Sequence, residues 1–313
     1  MSFDLILPFF PREVQNVIMQ REVSDVMING SRVFVDRNGR LSQLEGIVLD
    51  PMQVLAGVEN IGRFLHRDIT PDSPILDARL PDGSRVAAIA SPSSPGGMTV
   101  TIRKFNRWFT ADDLVASGTL PEPVLATVTD AISQRKNLLI AGGTGSGKTT
   151  LLKALIDLIP LSDRLIVIEN PAELDISHAN APRWEITDKA DGHALLIHAL
   201  RHRPDRIIFG EVRDHSAYQL LQAMNTGHGG TMSTIHADSA ALALYRLAGL
   251  ALSAQSNLDA SFIRSEVASA IHYVLFITRR TDGTRRVTEL LKVAGYSVSE
   301  ERFLTNSLFA ETA

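Results

Sequence analysis

The chain has 313 residues, a length that suits two domains better than a single core. Hydrophobic residues at 44% and charged residues at 21% are typical of a globular protein, and the net charge of -4 gives no overall electrostatic reason to bind nucleic acid or an anionic membrane. The absence of cysteine excludes disulfides and cysteine-ligated zinc, and no apolar stretch reaches the roughly 18 residues that span a bilayer, so we expect a cytoplasmic protein.

The first third of the sequence predicts a small α+β domain over residues 1–105. Helical spacing of apolar residues predicts helices over 11–20 and 51–67. Asn-Gly pairs at 29–30 and 38–39 are strong hairpin signals, and residues 81–83 are turn material. The β-prone runs, which predict a mostly antiparallel sheet, cover residues 25–28, 32–35, 75–80, 85–90 and 99–103.

A linker is expected over residues 106–119, followed by a larger domain over 120–313 in which strands and helices alternate. Such alternation predicts a parallel sheet with helices on both faces. The predicted strands cover residues 164–168, 206–209 and 231–235, with a final hairpin over 271–277 and 285–293. The predicted helices cover residues 121–133, 192–200, 217–224 and 240–251.

The centre of this larger domain is a phosphate-binding loop that follows an apolar run. The spacing G-x-x-x-x-G-K-T is complete from Gly142 to Thr149, and a helix-like segment comes next. The glycines let successive N–H groups point at phosphate oxygens, and the helix adds its positive end. Lys148 supplies a charge for the β- and γ-phosphates, and Thr149 offers a hydroxyl to Mg²⁺. The predicted nucleotide-binding residues here are Gly142, Gly143, Thr144, Gly145, Ser146, Gly147, Lys148, Thr149 and Thr150.

Acidic residues follow two other apolar runs, and ligands of open α/β sheets bind at the carboxyl ends of the strands. Glu169 and Glu173 follow the first run; one is expected to polarise the attacking water and the other to hold Mg²⁺ through water, unless either is a helix-start or surface acid. Glu211 follows the second run in a Walker B pattern, which presents a carboxylate to the water and to Mg²⁺.

Two histidines flank a further predicted strand, His228 before it and His236 after it. A neutral histidine beside the γ-phosphate can donate a hydrogen bond to it or to the attacking water, and can report hydrolysis by shifting. The alternative is that either is an ordinary surface or core histidine. A zinc site is disfavoured because the spacing is not H-E-x-x-H.

In their fixed order these motifs resemble the Walker A, Asp box, Walker B and His box of the secretion ATPase superfamily. Residues 25–30, 80–86 and 101–105 are similar to the N-terminal domain of that family, so the resemblance covers nearly the whole chain. The compact length and the absence of cysteine separate this chain from the type II secretion branch. It is most similar to the conjugal transfer branch of type IV secretion, the TrbB type. The resemblance implies an α/β fold: a RecA-like P-loop NTPase domain preceded by a smaller α+β N-terminal domain.

The resemblance also implies an activity, cofactors and partners. It implies an ATPase that binds ATP and Mg²⁺, forms a homohexameric ring on the cytoplasmic side of the inner membrane, and powers a conjugation or type IV secretion apparatus through inner-membrane components. The resemblance implies that the protein is peripheral to the membrane, and no direct nucleic-acid binding is expected. Arg85 and Arg103 occupy family positions that reach the phosphates, and Asn170 replaces the usual Asp, which shifts the expected Asp-box acid to Glu169 and Glu173. Four further arginines cannot be ranked from the sequence: Arg201, Arg203, Arg206 and Arg213.

Two alternatives stay open. One is a type IV pilus or Tad-like pilus assembly ATPase. The other is a nucleotide-gated assembly platform with little turnover, because catalytic residues do not reveal a rate. Other P-loop classes are disfavoured, since no Asn-Lys-x-Asp or Leu-Ser-Gly-Gly-Gln segment is present and the acidic charge argues against a DNA motor.

Overall fold

A computed structural model describes residues 7–20, 22–37, 39–65, 67–80, 84–104, 109–254 and 258–311, apart from the side chains of Leu7 and Arg79. The chain divides into two compact units, Met1–Arg107 with Asp282–Thr284, and Trp108–Thr281 with Arg285–Ala313. Some predicted features lie outside the described ranges: residues 81–83 of one turn, Asn38 of a hairpin, and residues 105–108. None of the described helices combines the length and the apolar character that crossing a membrane requires.

In its described residues, the first unit combines six strands with two α-helices. Its elements are α1 (Arg12–Ile18), β1 (Val23–Asn29), β2 (Arg32–Arg37), β3 (Arg40–Gln43), α2 (Pro51–Phe64), β4 (Ile75–Arg79), β5 (Arg85–Ile89) and β6 (Thr99–Arg103). The strands form a sheet in the order β3-β2-β1-β6-β5-β4, in which every neighbouring pair is antiparallel. The predicted mostly antiparallel sheet is confirmed.

Alternation along the strands explains the core of this unit. Val86 and Ala88 on β5 are buried, while their neighbours Ala87 and Ile89 are exposed, as a strand with one covered face requires. Val54 and Ile61 of α2 belong to the same buried cluster as the inward strand residues. The helix therefore completes the core on that face.

The second unit is built on an eight-stranded sheet. Its elements are α3 (Ala111–Ala116), α4 (Glu122–Ser133), β7 (Leu138–Gly142), α5 (Lys148–Ile156), β8 (Leu165–Glu169), β9 (Arg183–Glu185), α6 (Gly192–Ala199), β10 (Arg206–Val212), α7 (Ser216–Asn225), β11 (Met232–His236), α8 (Ala240–Ala254), α9 (Ala260–Ala270), β12 (Tyr273–Arg279), β13 (Arg285–Ser297) and β14 (Arg302–Ala310). The strand order is β14-β13-β12-β7-β11-β10-β8-β9, parallel from β12 to β9 and antiparallel from β12 to β14.

Both faces of this sheet are buried, as the continuous apolar runs predict. On β7, Leu138 and Ile140 pack in one hydrophobic cluster with residues of α4 and α5. Leu139 and Ala141 point the other way, into a cluster with residues of α6 to α9. The predicted helices on both faces are confirmed. Three elements were not predicted from the sequence, β9, α9 and β14, of which α9 and β14 follow the last predicted helix.

Residues 109–119 of the expected linker belong to the second unit. Thr110 and Asp113 form a capping box at the start of α3, and Ala111 and Leu114 of that helix are buried. Helix α3 therefore packs as part of the second unit.

Candidate functional site

The P-loop joins β7 to α5 and curls tightly. Gly147 precedes the helix with φ at +96°, a left-handed conformation that favours glycine. A Cβ placed on Gly142 would come within 2.3 Å of the Ile277 carbonyl oxygen and 2.6 Å of Ser146 Oγ, so only glycine fits. Thr149 and Thr150 stand in the first turn of α5, beside the loop. The nine predicted nucleotide-binding residues thus lie in one continuous turn at the end of a buried strand.

Lys148 and Ser146 are buried polar residues within this turn. The Lys148 amine donates hydrogen bonds to the carbonyl oxygens of Gly142 and Gly143, at 3.0 and 2.9 Å. Burial lowers the pKa of Lys148, against the opposing effect of Glu211. Ser146 Oγ is buried without a hydrogen-bond partner among the described residues. Phosphate oxygens fit this loop, because they would accept from the amine and the backbone N–H groups that surround it.

His236 and Glu211 come to the P-loop from β11 and β10, the two strands that follow β7 on one side of it in the sheet. His236 ends β11 and pairs in register with Gly142, and Glu211 lies on β10, the next strand. The His236 ring nitrogen Nε2 is 3.0 Å from Glu211 Oε1 and 3.5 Å from the Lys148 amine. Arg213 holds the other carboxylate oxygen of Glu211 at 2.6 Å. The structure therefore brings Lys148, His236 and Glu211 together.

The charges around His236 keep its ring neutral. Burial lowers its pKa below the ordinary value of 6.5, and the positive charge of Lys148 lowers it further, while Glu211 acts in the opposite direction. The hydrogen bond from Arg213 to Glu211 raises the pKa of the Arg213 guanidinium. A neutral imidazole has one donor and one acceptor nitrogen, so it can pass a hydrogen bond between Glu211 and a ligand.

Glu169 and Glu173 have different surroundings although they share a loop. Glu169 is only 4% exposed, and its Oε1 accepts the backbone N–H groups of Glu173 and Leu174, both at 3.0 Å. Burial raises the pKa of Glu169, and Arg183 approaches its other oxygen at 3.8 Å. Gly210 leaves room for this side chain, since a Cβ there would be 3.2 Å from Glu169 Cγ. Glu169 thus fastens the loop that carries Glu173, which is half-buried.

Several predicted residues are not brought to the P-loop within the second unit. His228 precedes β11 at its amino end, whereas His236 lies at the carboxyl end, and four residue steps of a strand span about 13 Å. Arg206 starts β10 at the same far end, where it is 1% exposed and bonded to Asp163 at 2.7 Å. Arg201 and Arg203 lie just before that strand, on the surface.

Arg85 and Arg103 belong to the first unit. They lie opposite each other on β5 and β6, and Arg103 pairs with Asp25 at 2.8 Å.

Other residues at the P-loop have no motif to reveal them. A cleft of about 350 Å³ beside the loop is lined by Gly143, Thr144, His236, Ala237, Asp238 and Arg246. The Nε of Arg285, at the start of β13, donates to the Gly145 carbonyl at 3.1 Å. Arg285 lies 140 residues from the loop in sequence, and its contact follows from the pairing of β12 with β7.

The donor set also fits Mg²⁺ bound together with phosphate. No cluster of three His, Asp or Glu side chains suited to a metal occurs in the described part of the chain. Mg²⁺ in nucleotide sites usually takes one or two protein oxygens, with phosphates and waters as its other ligands. Thr149 and Glu211 are an oxygen set of that size.

The family is decided by comparison with known proteins. The sequence profile described as Type II/IV secretion system protein matches residues 12–301. The chain belongs to this family. Its secretion ATPase architecture therefore includes a RecA-like ATPase domain after an N-terminal domain, in agreement with the two sheets described above.

Relatives within the secretion family agree with this assignment. The conjugal transfer protein TrbB of Rhizobium radiobacter is 35% identical over 88% of this chain and 84% of its own length. The type IV secretion system protein PtlH of Bordetella pertussis is 34% identical over 86% of this chain and 89% of its own. The structure of the VirB11 ATPase from the Brucella suis type IV secretion system, in complex with sulphate, has 28% identity and a TM-score of 0.52, covering 91% of this chain and 94% of that one.

Proposed function

We propose that this chain is an ATP hydrolase that powers a membrane-bound conjugation or type IV secretion apparatus. The observation that carries the proposal is the meeting of Lys148, His236 and Glu211 at the carboxyl ends of three adjacent parallel strands. The relatives named above are conjugal transfer and type IV secretion proteins, which favours this apparatus over a pilus. The sulphate of the VirB11 structure is a tetrahedral oxyanion like phosphate, which supports a phosphate site in the family.

In the proposed reaction the P-loop binds the triphosphate. Its backbone N–H groups and the positive end of α5 face the phosphate oxygens, and the Lys148 amine exchanges the carbonyls of Gly142 and Gly143 for the β- and γ-phosphates. When bound, Mg²⁺ neutralises charge on the phosphates. The residues that would hold it are Thr149, directly, and Glu211, through water.

Glu211 is the proposed base for the attacking water. Arg213 fixes the orientation of its carboxylate through Oε2, and the other oxygen, Oε1, is buried without a hydrogen-bond partner among the described residues, so it is available to accept the proton. The neutral ring of His236 donates to the γ-phosphate or to the water. Glu173 is the proposed second acid that directs the water, and Glu169 positions the loop that carries it.

The proposed assembly is a homohexameric ring, cytoplasmic and peripheral to the inner membrane, that works on inner-membrane components of the apparatus. Arg85 and Arg103 are proposed phosphate contacts; they are partners in the β5–β6 register, so their side chains lie on the same face of that sheet. The proposed division is an N-terminal domain over 1–105, a linker over 106–119 and an ATPase domain over 120–313. Native mass measurement with and without Mg·ATP tests the ring: six subunits are expected.

Turnover of two variants tests the proposed hydrolysis. Lys148→Ala is expected to lower ATP turnover at least about a hundredfold, because it removes a charge from the transition state. Glu211→Gln is expected to keep nucleotide binding and to lose about a hundredfold or more in turnover, because the amide cannot accept the water proton. Exposed residues give the matched controls Lys189→Ala and Glu185→Gln, whose turnover should equal that of the wild type. Unchanged turnover in both test variants refutes the proposal.

A second candidate is a nucleotide-gated assembly platform with little turnover. The observation that favours it is the pairing of Glu211 Oε2 with Arg213 at 2.6 Å, because a carboxylate oxygen held by a guanidinium is a weaker base. Secretion that persists in a strain carrying Glu211→Gln, whose protein still forms rings, selects the platform over the motor.

A further inference from the structure

The β12–β13 hairpin flanks the P-loop on the side opposite to His236. Strand β7 lies between β11, which carries His236, and β12, which pairs with β7 in parallel. The catalytic candidates therefore approach the loop from one side, and the hairpin approaches it from the other.

Arg285 of this hairpin makes a specific contact with the loop. Its Nε donates to the Gly145 carbonyl oxygen at 3.1 Å. Its aliphatic stem covers Gly147, where a Cβ would lie 3.0 Å from Arg285 Cδ and 3.6 Å from Ile277 Cδ1. Arg279, on the other strand of the hairpin, brings a guanidinium nitrogen to 3.9 Å from the Cβ position of Gly145. Two of the loop glycines are thus covered by side chains of one hairpin.

The contact constrains a peptide that a phosphate would use. The Gly145 carbonyl and the Ser146 N–H belong to one planar peptide unit, and in a trans peptide these two groups point in opposite directions. A donor that holds the carbonyl on the hairpin side therefore keeps the N–H turned to the other side. Gly145 itself has φ at +69°, a conformation with little steric resistance in glycine, so the peptide needs an external restraint.

We propose that Arg285 is a positioning residue of the phosphate-binding loop. It holds the Gly145–Ser146 peptide in the orientation in which the Ser146 N–H faces a nucleotide phosphate, and it acts through this peptide rather than by touching the nucleotide. The inference rests on the proposed nucleotide binding. Because a P-loop amide contacts phosphate in the ground state and in the transition state alike, loss of the restraint raises KM and leaves kcat nearly unchanged.

Calorimetric titration of the purified protein tests this role. The two ligands are Mg·ADP and the Mg²⁺ complex of the non-hydrolysable analogue AMP-PNP. Arg285→Gln is expected to weaken both ligands by a similar factor, about threefold to tenfold, as for one lost hydrogen bond. Arg285→Lys keeps a donor and restores part of the affinity. The matched control is Arg286→Gln, because Arg286 is the next residue on β13 and pairs with Glu311 at 2.7 Å. The melting temperatures of the two glutamine variants should agree.

The outcomes separate this inference from the proposed function. Wild-type affinity in Arg285→Gln overturns the inference and leaves the proposed function standing. A loss for AMP-PNP much larger than the loss for ADP also overturns it, since that pattern shows direct contact with the γ-phosphate. A fall in kcat at constant KM contradicts it too. A wild-type protein that binds neither ligand removes the proposed function, and the inference with it.

Discussion

The two ends of the parallel sheet in the second unit both contain buried polar side chains, but they pair them differently. At the amino ends, Asn137 donates to the Ala270 carbonyl at 2.7 Å and accepts the Thr231 N–H at 3.0 Å. Arg206 donates to Asp163 at 2.7 Å and to the Ile132 carbonyl at 2.8 Å. These groups satisfy one another, as buried polar groups in a stable core do.

At the carboxyl ends the pairing is incomplete. Among the described residues, the Lys148 amine donates to two loop carbonyls and lies 3.5 Å from both ring nitrogens of His236, while Ser146 Oγ is buried without a partner. Buried groups in this condition cost stability unless a ligand supplies the missing partner. The paired groups at the amino ends therefore contribute to folding, whereas the carboxyl ends retain polar groups that a ligand can pair.

The largest expected effect tests the amino end. Arg206→Ala should lower the free energy of unfolding by about 3–5 kcal/mol, because it leaves Asp163 buried without its closest partner. Denaturant unfolding without nucleotide measures this loss. The ADP affinity of the folded protein should stay close to wild type, since the substitution lies at the far end of β10.

An exposed arginine provides the control for this substitution. Arg302 pairs with Glu300 at the surface, where its side chain is 61% exposed, and Arg302→Ala should cost less than about 1 kcal/mol. If Arg206→Ala weakened ADP binding strongly while barely changing stability, the proposed division between the two ends would be wrong.

A smaller effect on turnover is expected at Glu169. This residue lies at the carboxyl end of β8, but its Oε1 is already paired with two backbone N–H groups. Glu169→Gln retains an oxygen for the N–H groups of Glu173 and Leu174 and removes a buried charge, so turnover should stay within about threefold of wild type. Glu169→Ala loses that acceptor, and turnover should fall about tenfold as the loop loosens. Steady-state turnover of the two variants makes the comparison.

The alternative role of Glu169 predicts a different ranking. If the Glu169 carboxylate itself polarises water, the glutamine variant loses as much turnover as the alanine variant. Glu173→Gln completes the set, because its side chain is the proposed acid and its loss should exceed that of Glu169→Gln.

The sequence predicts those parts of the site that depend on local spacing. The curl from Gly142 to Thr149 and the acid at Glu211 follow from residues that are neighbours in the chain, and the structure has both beside the same sheet edge. The sequence already places His228 before and His236 after one strand, but only the parallel register that pairs His236 with Gly142 shows which of the two lies at the P-loop. Only direction along the strand, combined with sheet order, distinguishes the two.

Contacts between distant segments could not be predicted. Arg285 reaches Gly145 because β12 pairs with β7 and the hairpin then extends past the loop, a register that no local pattern encodes. The same holds for Arg206, which was one of four arginines that could not be ranked. Its burial follows from the neighbouring Asp163 and from the close approach of Gly230, whose Cβ position is 2.7 Å from an Arg206 nitrogen.

The smallest expected effect is the pH dependence of stability and turnover, which distinguishes one histidine at each end of the sheet. Burial lowers the pKa of His236 at the carboxyl end and of His272 at the amino end, in both cases below 6.5. Both rings are therefore neutral at pH 7. As pH falls below 6.5, the unfolded chain takes up these protons before the folded chain does, so stability declines towards acid and is fully present above 6.5. Turnover should likewise be flat above 6.5 and decline below it as His236 becomes charged.

Substitution assigns each decline to its residue. His236→Gln keeps a hydrogen-bonding side chain, so we expect a reduced turnover to remain. That turnover should no longer decline in acid. The pH dependence of unfolding that His272 contributes should persist. His272 accepts the Asn137 N–H through Nδ1 at 3.2 Å, and protonation removes that acceptor. His272→Gln should therefore remove the His272 share of the acid decline in stability, leave the share of His236, and leave the turnover profile unchanged. Turnover and denaturant unfolding of both variants, each measured over a pH series, test these expectations. If His272→Gln rather than His236→Gln abolished the acid decline in turnover, the two ends of the sheet would not be functionally separate.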